Sequence, residues 1–84
     1  MNFSSLDFQD HGTIKGATRA LHVFENGWSV SVVAGPAGCG LYGVIGEDTF
    51  EVAIINPKGS ILDDVIAWQT PVQVSTIMRV VSMM

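Results

Sequence analysis

Thr18-Arg19-Ala20-Leu21-His22-Val23-Phe24-Glu25-Asn26-Gly27-Trp28-Ser29-Val30-Ser31-Val32-Val33-Ala34 is the stretch on which the fold turns. Asn26-Gly27 favours positive φ at both central positions of a type I′ turn, whose twist matches that of the strands it joins. On either side, apolar and small polar residues alternate with the period of a half-buried strand. A two-residue loop then sets the register, with Glu25 opposite Trp28, Val23 opposite Val30 and Leu21 opposite Val32. This register predicts Leu21, Val23, Val30 and Val32 on one face of the hairpin. It predicts His22 opposite Ser31, and Phe24 opposite Ser29, on the other.

A second hairpin is predicted over Thr49–Leu62. Phe50, Val52 and Ile54 alternate with Glu51, Ala53 and Ile55, rich in strand-favouring residues. Asn56-Pro57-Lys58-Gly59 supplies the turn: Pro57 presets φ, and Gly59 takes the left-handed position that closes a bulged loop. Ser60-Ile61-Leu62 returns antiparallel, and the pattern leaves open whether Asp63-Asp64-Val65-Ile66 continues that strand. Thr70-Pro71-Val72-Gln73 then starts a helix, with Thr70 as cap, Pro71 at the first helical position and Gln73 completing a capping box. Val74, Ile77, Met78, Val81 and Met84 follow helical spacing along one face. The helix is rich in Val, Ile and Thr and forms by laying that stripe on the sheet.

The 84 residues allow one domain, expected over residues 18–84, with residues 1–17 as a poorly defined N-terminal arm. Apolar residues make up 48% and charged residues 14%, a composition that forms a core. The net charge of −4, concentrated in the middle of the chain, argues against nucleic acid as a partner. No apolar run approaches the ~20 residues of a membrane-spanning helix. No secretory leader opens the chain, so a cytoplasmic protein with a reduced Cys39 is expected.

Several segments resemble a group of small, mostly uncharacterised accessory proteins of tailed bacteriophages. The likeness is carried by Asn26-Gly27-Trp28-Ser29-Val30-Ser31-Val32-Val33, Gly40-Leu41-Tyr42, Phe50-Glu51-Val52-Ala53-Ile54-Ile55, Asp63-Asp64-Val65-Ile66 and Thr70-Pro71. Members show "NGYGVSVV", "GLYEVAVL" and "DDVxGxLT" before a C-terminal helix. The chain departs from them in placing Gly43–Thr49 between Tyr42 and the Glu51-Val52-Ala53 run, and in carrying Trp68-Gln69 where Leu is usual. Residues 1–17 have no counterpart. These are packing and turn residues, so the resemblance implies an origin, with the host cytoplasm as location, more than an activity.

No motif for chemistry survives its context. Gly38-Cys39-Gly40-Leu41-Tyr42-Gly43 has dinucleotide-loop spacing, but Val44-Ile45-Gly46-Glu47-Asp48 leaves no room for the helix that holds pyrophosphate. Gly35 and Gly40 have P-loop spacing, but Leu41-Tyr42 stands where Lys and Ser/Thr belong. Cys39 has no local nucleophile signature with His11 or His22 and reads as a small buried hydrophobe. Asp63 and Asp64, adjacent on a strand, point to opposite faces and read as turn residues rather than cation ligands. The two histidines show no zinc spacing. No catalytic residue, metal or cofactor is expected, and the chain is read as a non-enzyme.

The aromatics and the loop remain. Trp28 follows the first turn and Trp68 precedes the helix cap; either covers a sheet edge or, with Leu41 and Tyr42, forms a protein-binding surface. The fold class expected is α+β: an antiparallel sheet of about four strands with one face under the C-terminal helix. Ala53, Ile55, Phe24, Val33 and Trp68 are left for the other face. That face is too apolar for water, which points to a homo-oligomer, a dimer first, through that face or a sheet edge. The function expected is a phage-encoded accessory protein that binds and modulates a host protein, such as a host-defence component. The alternative is an oligomeric binder of a nucleotide or signalling metabolite, held by backbone N–H groups of the loop bearing Gly35, Gly38, Gly40 and Gly43.

Overall fold

The first turn closes one residue differently from the expectation. In the computed structural model, which describes residues 2–84, the Phe24 N–H donates to the Trp28 carbonyl at 2.8 Å, and the Gly27 N–H to the Phe24 carbonyl at 3.0 Å. The loop is therefore Glu25-Asn26-Gly27. Gly27 has φ +86°, while Asn26 does not take positive φ. This is the three-residue loop closed by a left-handed glycine, not the type I′ turn. The competing interaction is long-range. The Asn26 amide donates to the carbonyls of Val81 and Met84 at 2.9 and 3.2 Å, and its Oδ1 accepts the Trp28 N–H at 3.0 Å.

That one residue turns the hairpin over. Its strands are β2 (Thr18–Val23) and β3 (Ser29–Ala34), with Val23 opposite Ser29, His22 opposite Val30, Leu21 opposite Ser31 and Ala20 opposite Val32. Ala20, His22 and Phe24 consequently share the core face with Val30 and Val32, whereas Leu21 and Val23 point away and are 54% and 63% exposed. Phe24, expected on the open face, is buried in the core.

The sheet has five antiparallel strands rather than about four, neighbours in space in the order they follow along the chain. The extra one is β1 (Gln9–Asp10), pairing Gln9 with Arg19 and Asp10 with Thr18. The segment expected as an arm is joined to the rest. A 3-10 turn spans Phe3–Ser5, the Phe3 N–H donates to Ser75 Oγ at 2.9 Å, and the rings of Phe3 and Phe8 lie 4.9 and 5.6 Å from that of Phe50.

β4 (Phe50–Ile55) pairs with β3, Val52 opposite Val32. The second turn closes as expected: the Asn56 N–H donates to Ser60 and the Gly59 N–H to Asn56, both at 2.9 Å, with Gly59 at φ +88°. The returning chain meets β4 briefly, with Ile61 opposite Ile55 and the Leu62 N–H donating to the Ile54 carbonyl at 2.7 Å, and breaks at Asp63, φ +56°. It rejoins as β5 (Ile66–Gln69), Ile66 opposite Val52 and Gln69 opposite Phe50. Between these pairs Ala67 and Trp68 both oppose Glu51, a β-bulge.

The helix α1 (Pro71–Ser82) carries the full capping box: Thr70 Oγ1 accepts the Gln73 N–H, and Gln73 Oε1 accepts the Thr70 N–H. Val74, Met78 and Val81 have no exposed surface and pack with Phe24, Val30, Val32, Phe50 and Val52. Each such buried side chain contributes roughly 1.5–3 kcal/mol, which outweighs the weak helix propensity. Met84, expected on the same stripe, lies beyond the helix and is exposed.

Candidate functional site

The glycine-rich segment is a closed loop over one end of the sheet. Its ends are tied by the Gly35 N–H to the Gly43 carbonyl and the Ile45 N–H to the Gly35 carbonyl, both at 3.1 Å. Gly43 sits so close to β4 that a Cβ there would lie 2.6 Å from Phe50 Cα. Cys39, half-buried, folds its sulfur over Gly35, and Leu41 lies over the same glycine. Gly38 and Gly40 take positive φ with open space around them. Close approach and turn geometry thus account for these glycines. Two N–H groups of the loop are already engaged inside it, since Gly35 bonds Gly43 and Cys39 bonds Pro36.

The loop delivers Tyr42 to Trp68. The Tyr42 N–H donates to Glu51 Oε1 at 3.1 Å, and the Trp68 N–H donates to the Tyr42 carbonyl at 2.8 Å. The rings meet edge to face, centroids 6.0 Å apart at 67°. Each residue is 51% exposed. Trp68 holds a left-handed backbone, φ +57°, a conformation costly for a residue with a Cβ. The bulge and the hydrogen bond to Tyr42 keep it there and aim the indole out of the face opposite the helix. Strain of this kind concentrates where a side chain must be presented.

Of the four aromatic and apolar residues singled out in the sequence, the structure joins Tyr42 and Trp68. Leu41 is turned back toward Gly35. Trp28 lies elsewhere, half-buried and packed against the core on the helix side. The face opposite the helix carries Val33, Ala53 and Ile55, as expected, of which Val33 and Ala53 are buried; Leu21 and Val23 lie on the same face at β2, three strands from Trp68. Its charged members are Arg19 and Glu51, and Glu51 is tied to Tyr42. No signal in the sequence marks Trp68 as left-handed or Glu51 as the anchor of Tyr42.

Among the described residues no group of three or more His, Cys, Asp and Glu is placed to hold a metal ion. The His11 Nδ1 accepts the Ile14 N–H at 3.3 Å, a turn contact. Two shallow clefts, of about 260 and 270 Å³, lie away from the loop. One is at the β1–β2 edge, the other between the 3-10 turn and the start of α1. No helix among the described residues is long and apolar enough to cross a membrane.

No family model, curated protein or solved structure matches the chain. The resemblance to phage accessory proteins therefore rests on the quoted motifs.

Proposed function

We propose that the protein is a non-enzymatic accessory protein that binds and modulates another protein, with Tyr42 and Trp68 as the anchor of its binding surface. The observation that carries this reading is the exposed Tyr42–Trp68 pair, held by a strained backbone on the face that the helix leaves open. Tyr and Trp dominate the binding energy of protein interfaces because they bring large area at low entropic cost. The sparse charge of that face favours a protein partner, since a charge-depleted core is what distinguishes interface patches. The phage-like motifs make the partner a host protein, such as a defence component, met in the host cytoplasm. The homodimer expected from the apolar composition belongs to the same reading, on a different surface.

The alternative, a nucleotide or metabolite held by the glycine loop, finds less support. The N–H groups of Gly35 and Cys39 bond within the chain, and Leu41 and Cys39 occupy the space over Gly35.

The test is affinity capture from host lysate with the full chain, run beside Tyr42→Ala and Trp68→Ala. A stoichiometric partner is expected on the wild type and lost from both variants, with purified components reproducing the difference. Truncating an anchor of this type weakens binding by about 2 kcal/mol or more, roughly thirtyfold. Absence of any stoichiometric partner, or binding indifferent to both substitutions, rejects the reading.

A further inference from the structure

Tyr42, Glu51 and Trp68 hold one another in place. Glu51 stands opposite the bulge at Ala67 and Trp68, and the Trp68 N–H donates to the Tyr42 carbonyl at 2.8 Å. The Tyr42 N–H in turn donates to Glu51 Oε1 at 3.1 Å. The two half-exposed rings, inclined at 67°, form the walls of a corner, and the carboxylate is held at the Tyr42 backbone beside them. Among the described residues nothing else bonds the Glu51 side chain, and no cation is paired with it. Arg19, the other charged residue of this face, is two strands away, about 10 Å at ordinary strand spacing. It lines the cleft at the opposite edge with Asp10 and His11. From Tyr42 to Gln69 the chain carries five acids and one cation, Lys58, which lies in the turn beyond the far end of β4.

Given the binding role proposed for the pair, on which this rests, we infer that the corner receives an arginine side chain of the bound protein, its guanidinium stacked on Trp68 and its N–H fork on Glu51. A partner seated on Tyr42 and Trp68 also takes the Glu51 carboxylate out of water. The single N–H from Tyr42 does not compensate that charge, and an apolar partner would bury it unpaired, the costly arrangement. A cation removes the cost, and it is attracted to the faces of both rings. Guanidinium does both at once: it is planar and weakly hydrated, stacks on aromatic faces, and grips a carboxylate with parallel N–H donors. An ammonium, a strongly hydrated point charge, lacks the flat face and the fork. Glu47 and Asp48, exposed in the turn that follows Tyr42, add to the negative field that draws a cationic surface to this end of the molecule.

The test follows the indole N–H resonances of the full chain by NMR during titration with a blocked glycine-arginine-glycine tripeptide. The control is the same tripeptide with citrulline, which has the shape of arginine without its charge. The Trp68 resonance is expected to shift with millimolar affinity for the arginine peptide, and citrulline to bind about tenfold more weakly, the scale of a charge-assisted contact. Trp28, half-buried on the helix side, is the internal control and does not shift. Glu51→Gln keeps the acceptor for the Tyr42 N–H, so the free Trp68 resonance stays near its wild-type position while arginine binding weakens about fivefold. Asp63→Asn with Asp64→Asn removes twice the charge at the other end of β5 and changes binding by less than about twofold at physiological salt. No shift at Trp68, equal binding of the two peptides, or full affinity in Glu51→Gln overturns the inference. So does a loss from the Asp63 and Asp64 substitutions as large as that from Glu51→Gln, the mark of diffuse attraction. In the capture experiment, a partner lost with Tyr42→Ala and Trp68→Ala but kept by Glu51→Gln overturns the arginine and leaves the binding role standing. No captured partner, with the two peptides still told apart at Trp68, rejects that role and sustains the site.

Discussion

On the helix side of the sheet Val30, Val32 and Val52 are fully buried beneath Val74, Met78 and Val81. On the other side β2 carries Leu21 and Val23 more than half exposed, while β3 and β4 carry Ser31 and Ile55, half-buried, and Val33 and Ala53, buried. Composition hardly separates the two faces of β2: Leu21 and Val23 are more apolar than Ala20 and His22, yet they are the pair left outside. What separates them is the size of one loop. With Asn26 and Gly27 alone in the turn, Leu21 and Val23 would sit under the helix. With Glu25 included, Phe24 takes that place and fills it with a larger side chain. The choice is favoured because Phe24 brings more apolar area to the core, and because Asn26 is free to reach the helix end.

The sharpest way to break this comparison is to truncate both sides of β2. Phe24→Ala is expected to cost about 3–5 kcal/mol, the price of a large core truncation, while Leu21→Ala and Val23→Ala stay within about 1 kcal/mol. Urea denaturation midpoints at constant slope measure all three. A two-residue turn predicts the reverse order, so a larger loss at Leu21 or Val23 than at Phe24 rejects the register. For a domain whose total stability is of order 5–15 kcal/mol, the difference is readily resolved.

A smaller effect is expected at the loop itself. Asn26→Asp keeps the acceptor for the Trp28 N–H but removes the donor to the carbonyls of Val81 and Met84. It also sets a negative charge at a helix C-terminus, where the helix dipole disfavours it. A loss of about 1–2 kcal/mol is expected by thermal or urea melts. Gly, like Asn, accepts the positive φ of a type I′ turn, so if the loop followed local preference alone Asn26→Gly would be nearly neutral. Here it also lowers stability, because the bonds to the helix end go with the side chain.

These residues show where sequence reading reached and where it stopped. The helix start was legible because Thr70, Pro71 and Gln73 act on their immediate neighbours, and the observed capping box is the one their spacing predicts. Asn56–Gly59 was legible for the same reason. The first turn was not, because Asn26 finds its partner 55 residues away, and no local rule registers that bond. β1 escaped because two residues carry no period. The pairing of Tyr42 with Trp68 escaped because it depends on a bulge and a left-handed Trp. Both residues were visible as aromatics without a core position, but not as neighbours.

The Trp68 backbone offers the finest distinction between the two faces. On the core side, a residue in a strand loses about 0.5–1 kcal/mol when Ala is replaced by Gly, because glycine has more freedom to lose. At position 68 the sign should invert. Ala retains the Cβ that makes φ +57° costly, by roughly 1–2 kcal/mol, and Gly does not. Both substitutions remove the edge-to-face contact with Tyr42 equally, so their difference isolates the backbone. Trp68→Gly is expected to be more stable than Trp68→Ala by up to about 1 kcal/mol, measured from paired urea midpoints. The usual order, Ala above Gly, would show that the backbone there is unstrained and remove one support from the proposed anchor. The inverted order means that stability is given up to hold an exposed indole outward, which packing within the monomer does not require.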